Sequence, residues 1–82
     1  MNEDQIKTLR AIFREELSIS EEELVDSTAY NELEVWDSLT HLKIVSRIEE
    51  AFSIELEVDD IIGMENFGKA KAIVGRYIVS PS

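Results

Sequence analysis

Residues 36–52 read WDSLTHLKIVSRIEEAF, and the periodicity of this stretch decides the fold. Leu39, Leu42, Val45, Ile48 and Phe52 recur at steps of three and four, which sets them on one face of an α-helix. Asp37 stands just before the first periodic residue, where a carboxylate accepts backbone N–H bonds as an N-cap. Ser38 then falls in the first turn, beside N–H groups that lack helical partners and at the positive end of the helix dipole. Its hydroxyl is expected to be exposed, and a phosphate attached to it would lie in a favourable field. No other position in the chain is as suggestive chemically.

Upstream, residues 4–17 read as a first helix. Ile6, Leu9, Phe13 and Leu17 form its buried stripe with Ile12 flanking, and Asn2 or Asp4 can cap it. Glu15 and Glu16 sit unfavourably near its negative end. Residues 18–36 are long for a structureless connection and too apolar for a free linker, carrying Ile19, Leu24, Val25, Tyr30, Leu33 and Trp36. They read as an ordered loop over the bundle, with a helical turn at Ser20, where Ser-Glu-Glu-Glu fits a capping box. Leu33 and Trp36 are expected to plug the end of the core, and Glu21, Glu22 and Glu23 to form a solvated face.

Downstream, Ile54, Leu56 and Val58 alternate with polar residues. With no partner strand in view, this reads as an extended connection with its apolar residues turned inward. Residues 59–63 suit one short helical turn, with an acidic start and a glycine stop. A last helix begins at Asn66 or Phe67 and runs to Val79, burying Phe67, Ala70, Ile73, Val74, Tyr77 and Ile78. Gly68 and Gly75 weaken it by up to about 1 kcal/mol each relative to alanine. Ser80-Pro81-Ser82 reads as a frayed tail. The fold expected is all-α: three main helices, one short one, and a long ordered first loop, in a single domain spanning residues 1–82.

Composition narrows the function. Eighty-two residues support one small core. The absence of cysteine removes disulfides, thiolate nucleophiles and Cys-type zinc sites. No apolar run approaches the roughly 18–20 residues of a membrane span, and the polar start MNEDQ does not fit a signal peptide. The cytoplasm is the expected compartment. Net charge is −10, with 18 acidic against 8 basic residues, which argues against nucleic acid and anionic membranes. It suits partners with basic docking surfaces, or simply keeps a small protein soluble.

Taken together, WDSL followed by HLKIVSRIEEAFSIEL, then VDDI and MENF before a last amphipathic helix, resembles the acyl carrier protein family. The likeness runs from Ile6 to Ile78. It implies a four-helix bundle of acyl-carrier type whose motif serine, here Ser38, carries 4′-phosphopantetheine from coenzyme A through a phosphodiester. The thiol of that arm holds acyl groups as thioesters, and the protein supplies attachment and delivery rather than catalysis. The resemblance gives Asp37 a second possible job beyond capping, helping the modifying transferase position its metal and coenzyme A. Leu39, pointing partly inward, is also a plausible transferase contact.

Partner enzymes of such carriers read the central helix. On that helix and beside it, Trp36, Thr40, Lys43, Ile44, Arg47, Glu49 and Glu50 are the candidate docking residues, with Thr40, Lys43, Ile44 and Arg47 expected to be partly exposed. Lys43 and Arg47 depart from the acidic pattern of the family, and Trp36 leans toward stand-alone carriers of specialised pathways.

Each of these readings has a plainer rival. Ser38 can be an ordinary capping serine, and Trp36 a core plug. His41 reads as a surface or half-buried residue rather than a base or ligand. Asp59 and Asp60 lack EF-hand spacing, so no metal site is assigned. Three functions stay open. The first is a monomeric carrier of fatty acyl, polyketide or specialised intermediates, served by a phosphopantetheinyl transferase and by ligases, synthases or acyltransferases. The second is an aminoacyl or peptidyl carrier loaded by an adenylating ligase. The third is an unmodified acidic helical docking module. A fatty cargo would swell the space lined by Phe13, Leu42, Val45, Ile48, Phe52 and Ile73, whereas an aminoacyl cargo would stay outside. An independent enzyme would need a nucleophile–base pair or a metal set, and neither is evident.

Overall fold

The computed structural model describes residues 2–30 and 32–78. Among them are four helices and no strand: α1 (Glu3–Leu17), α2 (Ser38–Phe52), α3 (Val58–Gly63) and α4 (Phe67–Ile78). This is the all-α architecture of three main helices and one short one expected from the sequence. The expected end of the last helix at Val79 and the Ser80-Pro81-Ser82 tail lie outside the described residues.

Local chemistry starts and stops the helices. Asn2 caps α1, accepting from the Gln5 N–H at 2.8 Å while the Gln5 side chain accepts from the Asn2 N–H at 2.9 Å. This reciprocal box satisfies two donors that the helix itself leaves free. Asp37 begins α2 by accepting from the Thr40 N–H at 2.9 Å. Both helices end on serines in the left-handed region, Ser18 at φ 57° and Ser53 at φ 54°, where glycine is the usual choice.

The core joins Leu9, Ile12, Phe13 and Leu17 of α1 to Ile44, Val45 and Ile48 of α2 and to Phe67, Ala70 and Val74 of α4. Leu24 and Trp36 from the first loop, Leu56 after α2 and Met64 before α4 complete it. Ile12, expected at the flank of α1, is buried, and Ile6 is only half-buried. Glu15 and Glu16, poorly placed for the helix dipole, are explained by α2: Arg47 reaches across to them at 2.7 and 3.2 Å.

The first loop is ordered, as its apolar content required. At Ser20 the capping-box bonds form, but the chain makes a turn and no helix follows. Glu21 is more than a solvated acid, because it binds Arg10 at 2.5 Å and Arg14 at 3.1 Å. Arg10 also donates to the carbonyls of Glu21 and Leu24, drawing the loop onto α1.

Main-chain bonds then stitch the loop to the start of α4. Tyr30 N–H donates to the Glu65 carbonyl at 2.8 Å, Phe67 N–H to that of Thr28 at 2.9 Å, and Gly68 N–H to that of Asp26 at 2.9 Å. Ala29 and Asn66 form an isolated antiparallel bridge there. Gly68, which looked like a helix-weakening residue, permits this approach: a Cβ on it would stand 3.1 Å from the Asp26 Cβ.

After the turn at Ser53, residues 54–57 form a non-helical connection, with Leu56 buried and Ile54 half-buried. Val58 departs from the expected inward pattern. It is 69% exposed, because α3 begins there and changes the side-chain period from two to that of a helix. Tyr77 fastens α3 to α4, its hydroxyl donating to Asp60 and accepting from the Glu57 N–H. Arg76 holds the same Asp60 carboxylate at 2.8 Å.

Candidate functional site

Ser38 is the first residue of α2, and its side chain is exposed. The Asp37 carboxylate behind it takes the Thr40 N–H. That bond, first among several, holds the Asp37 carboxyl below its usual range, so it is a firm anion beside the serine. The Ser38 hydroxyl lies 3.1 Å from the Tyr30 hydroxyl, and either can donate. Loop and helix therefore meet at the serine. An oxygen at this place is open to an incoming enzyme and sits in the positive field of the helix start.

Beside Ser38 a groove of about 290 Å³ runs between α2 and α3. Leu42, Ile61, Ile62 and Met64 form its apolar walls, with Tyr30 and His41 among its other lining residues. Its volume is at the floor of the range of about 300–1,000 Å³ typical of small-molecule pockets.

The apolar face of α2 differs from the expected one. Leu39 is 64% and Leu42 58% exposed, whereas Ile44 is fully buried and His41 only 9% exposed. The buried stripe is His41, Ile44, Val45 and Ile48. Leu39 accordingly points outward, contrary to the partly inward expectation. Leu42 lines the groove beside Ser38 rather than the core. Ile44 cannot serve as a docking residue in this fold, because it is part of the core. Trp36 is likewise not a surface contact. It is 1% exposed, the plug of the core end, with its ring edge-on to Phe13 at 5.5 Å.

The cause of the rotation is polar. Trp36 Nε1–H donates to His41 Nδ1 at 2.9 Å, and His41 Nε2 lies 2.8 Å from the Ile61 carbonyl. Indole is only a donor, so Nδ1 must be the acceptor and Nε2 must carry the proton given to Ile61. One neutral histidine thereby ties the first loop, α2 and α3 together. Leaving any of these buried groups without a partner would cost about 1–3 kcal/mol each, enough to favour the face that buries His41. The sequence reading missed this role. Its one signal was a polar residue at positions three and four before Ile44 and Val45, on the same helical stripe.

The remaining docking candidates differ in availability. Lys43 and Glu50 are exposed and Thr40 is half-buried. Lys43 has no ion-pair partner among the described residues, whereas Glu15 and Glu16 hold the Arg47 guanidinium and raise its already high proton affinity. Glu49 turns back to accept the Leu56 N–H at 2.8 Å, fixing the connection after α2. Among the described residues no group of three His, Asp or Glu is placed to hold a metal ion. Nor is any helix there long and apolar enough to cross a membrane.

An exposed hydroxyl at a capped helix start, with a narrow apolar groove alongside, fits a phosphate-linked, partly apolar arm. A family model described as phosphopantetheine attachment site matches residues 7–74, from the second turn of α1 to the middle of α4. A search of curated proteins finds no match. Domains of this family attach a 4′-phosphopantetheine prosthetic group, are generally non-catalytic, and work with a phosphopantetheinyl transferase and partner enzymes. With the match covering most of its length, the chain belongs to the phosphopantetheine-attachment family of carrier proteins.

Proposed function

We propose that the chain is an acyl carrier protein that bears the arm on Ser38 and delivers thioester-linked intermediates to the enzymes of a biosynthetic pathway. The observation that carries this reading is the exposed Ser38 hydroxyl at the capped start of α2, opening on the groove. When bound, the arm supplies a thiol that holds the cargo as a thioester. The protein's own residues do the rest. The first-turn N–H groups and the helix dipole favour the attached phosphate. Asp37 holds the helix start rigid, and as an anion it also repels that phosphate, so its contribution is positional rather than electrostatic. Leu39, exposed next to Ser38, offers the transferase an apolar contact, and Lys43 and Glu50 give partners charge to read further along α2.

Intact mass after incubation with coenzyme A and a broad-specificity phosphopantetheinyl transferase tests the proposal, with Ser38→Ala alongside. The expected result is a gain of one phosphopantetheine in the natural chain and none in the variant, with identical circular dichroism. A folded natural chain that gains nothing would sink the carrier reading. An unmodified docking module, for which Ser38→Ala is silent, would then be the better account.

A further inference from the structure

We propose that Trp36 and His41 form a partition that confines the cargo to the surface groove, so the protein carries short or polar acyl groups, aminoacyl groups included. This rests on the carrier reading of Ser38. Tyr30, His41 and Met64 are among the residues that line the groove, and neither Trp36 nor Phe13 is. Behind His41 stands Trp36, stacked on it at 6.0 Å and edge-on to Phe13, which in turn meets Phe67 at 5.0 Å. The route from Ser38 into the helical core is therefore blocked by aromatic rings already in close contact.

To enter, an alkyl chain must displace the imidazole and break its bonds to the indole and to the Ile61 carbonyl. Burying a few methylenes does not offset two broken buried hydrogen bonds and a core forced open. The indole N–H left behind has no water to replace His41, since Trp36 is 1% exposed. A short acyl chain can instead lie against Leu42, Ile61 and Ile62 without disturbing that arrangement. A polar or charged aminoacyl group, which gains nothing from the core, stays in solvent. Trp36 and His41 thus set cargo size without contacting the transferred group.

The test loads the full chain with acetyl, butyryl and octanoyl arms from the corresponding acyl-coenzyme A and follows backbone and methyl chemical shifts. In the natural chain, shifts are expected at Leu42, Ile61 and Ile62, while Phe13, Ile48 and Phe67 stay unchanged from acetyl to octanoyl. Hydroxylamine cleavage of the thioester should run at the same rate for all three. In Trp36→Phe, which keeps an aromatic ring but frees His41, and in His41→Leu, octanoyl is expected to move the core resonances and to be cleaved several-fold more slowly than acetyl. Progressive shifts at Phe13 and Ile48 in the natural chain would overturn the partition while leaving the carrier reading intact. Failure to take up any arm would bring down both, and the mass measurement above identifies that case. The natural-chain series decides the question even if a variant fails to fold.

Discussion

Toward its C-terminus α2 turns Ile44, Val45 and Ile48 into the core, and Arg47 clasps two carboxylates of α1. Toward its N-terminus the same helix turns Leu39 and Leu42 to solvent. It is held there by Asp37 on Thr40, by Tyr30 beside Ser38, and by the Trp36–His41–Ile61 bonds. The contrast has a physical reason. An end that must stay open to partners cannot be fixed by covering it with apolar surface, so directional bonds fix it instead. The far end can be closed, and burial does the work there.

The sharpest way to break the contrast is at the closed end. Ile48→Ala should cost about 2–5 kcal/mol, most of what a domain this small possesses. Urea unfolding should show the loss in its midpoint, while whatever fraction remains folded still accepts the arm on Ser38. A loss well under 1 kcal/mol would mean that burial is not what secures this end. At the open end, Trp36→Phe leaves His41 Nδ1 without its donor and should cost about 1–3 kcal/mol. Unlike the first variant, it should also perturb the resonances of Ser38 and Ile61.

The cap separates two jobs of one residue. Asp37→Ala should lower stability at neutral pH, by less than either core change, while Asp37→Asn, an equally good cap, should retain it. Because the folded Asp37 carboxyl is shifted down, its contribution is present above the ordinary carboxylate range and is lost as pH falls through the lowered value. Thermal melts across that acid range should therefore show the gap between Asp37→Ala and the natural chain closing. If Asp37→Asn folds normally yet is modified slowly, the carboxylate serves the transferase as well as the helix. Smallest of all, a double-mutant cycle of Arg47→Ala and Glu16→Ala should give about 0.2–1 kcal/mol of coupling, shrinking with added salt, because the pair is partly exposed.

What could be read from sequence was local. The Asn2 cap, the Asp37 cap and the Ser20–Glu23 bonds each lie within three residues, and all form. Helix number and order followed from periodicity and end signals, and the exposed placement of Ser38 from its position in the first turn behind the cap. The rotation of α2 was not legible. The stripes beginning at Leu39 and at His41 share Val45, Ile48 and Phe52, and both have helical spacing. The choice between them depends on Ile61, twenty residues beyond His41. The seam between the first loop and α4 was hidden for another reason. It is built from backbone groups of residues 26–30 and 65–68, which leave no side-chain pattern to recognise. Arg47 looked like a free docking charge because Glu15 and Glu16 lie more than thirty residues earlier.

Trp36 has one more consequence. It is the chain's single tryptophan, it stands two residues from Ser38, and its indole N–H is held by a histidine in a dry site. Its fluorescence therefore comes from one place only. The emission maximum responds to indole hydration. A carrier built this way contains its own optical reporter, in which arm attachment and loosening of the α2–α3 joint can be followed in real time without a label.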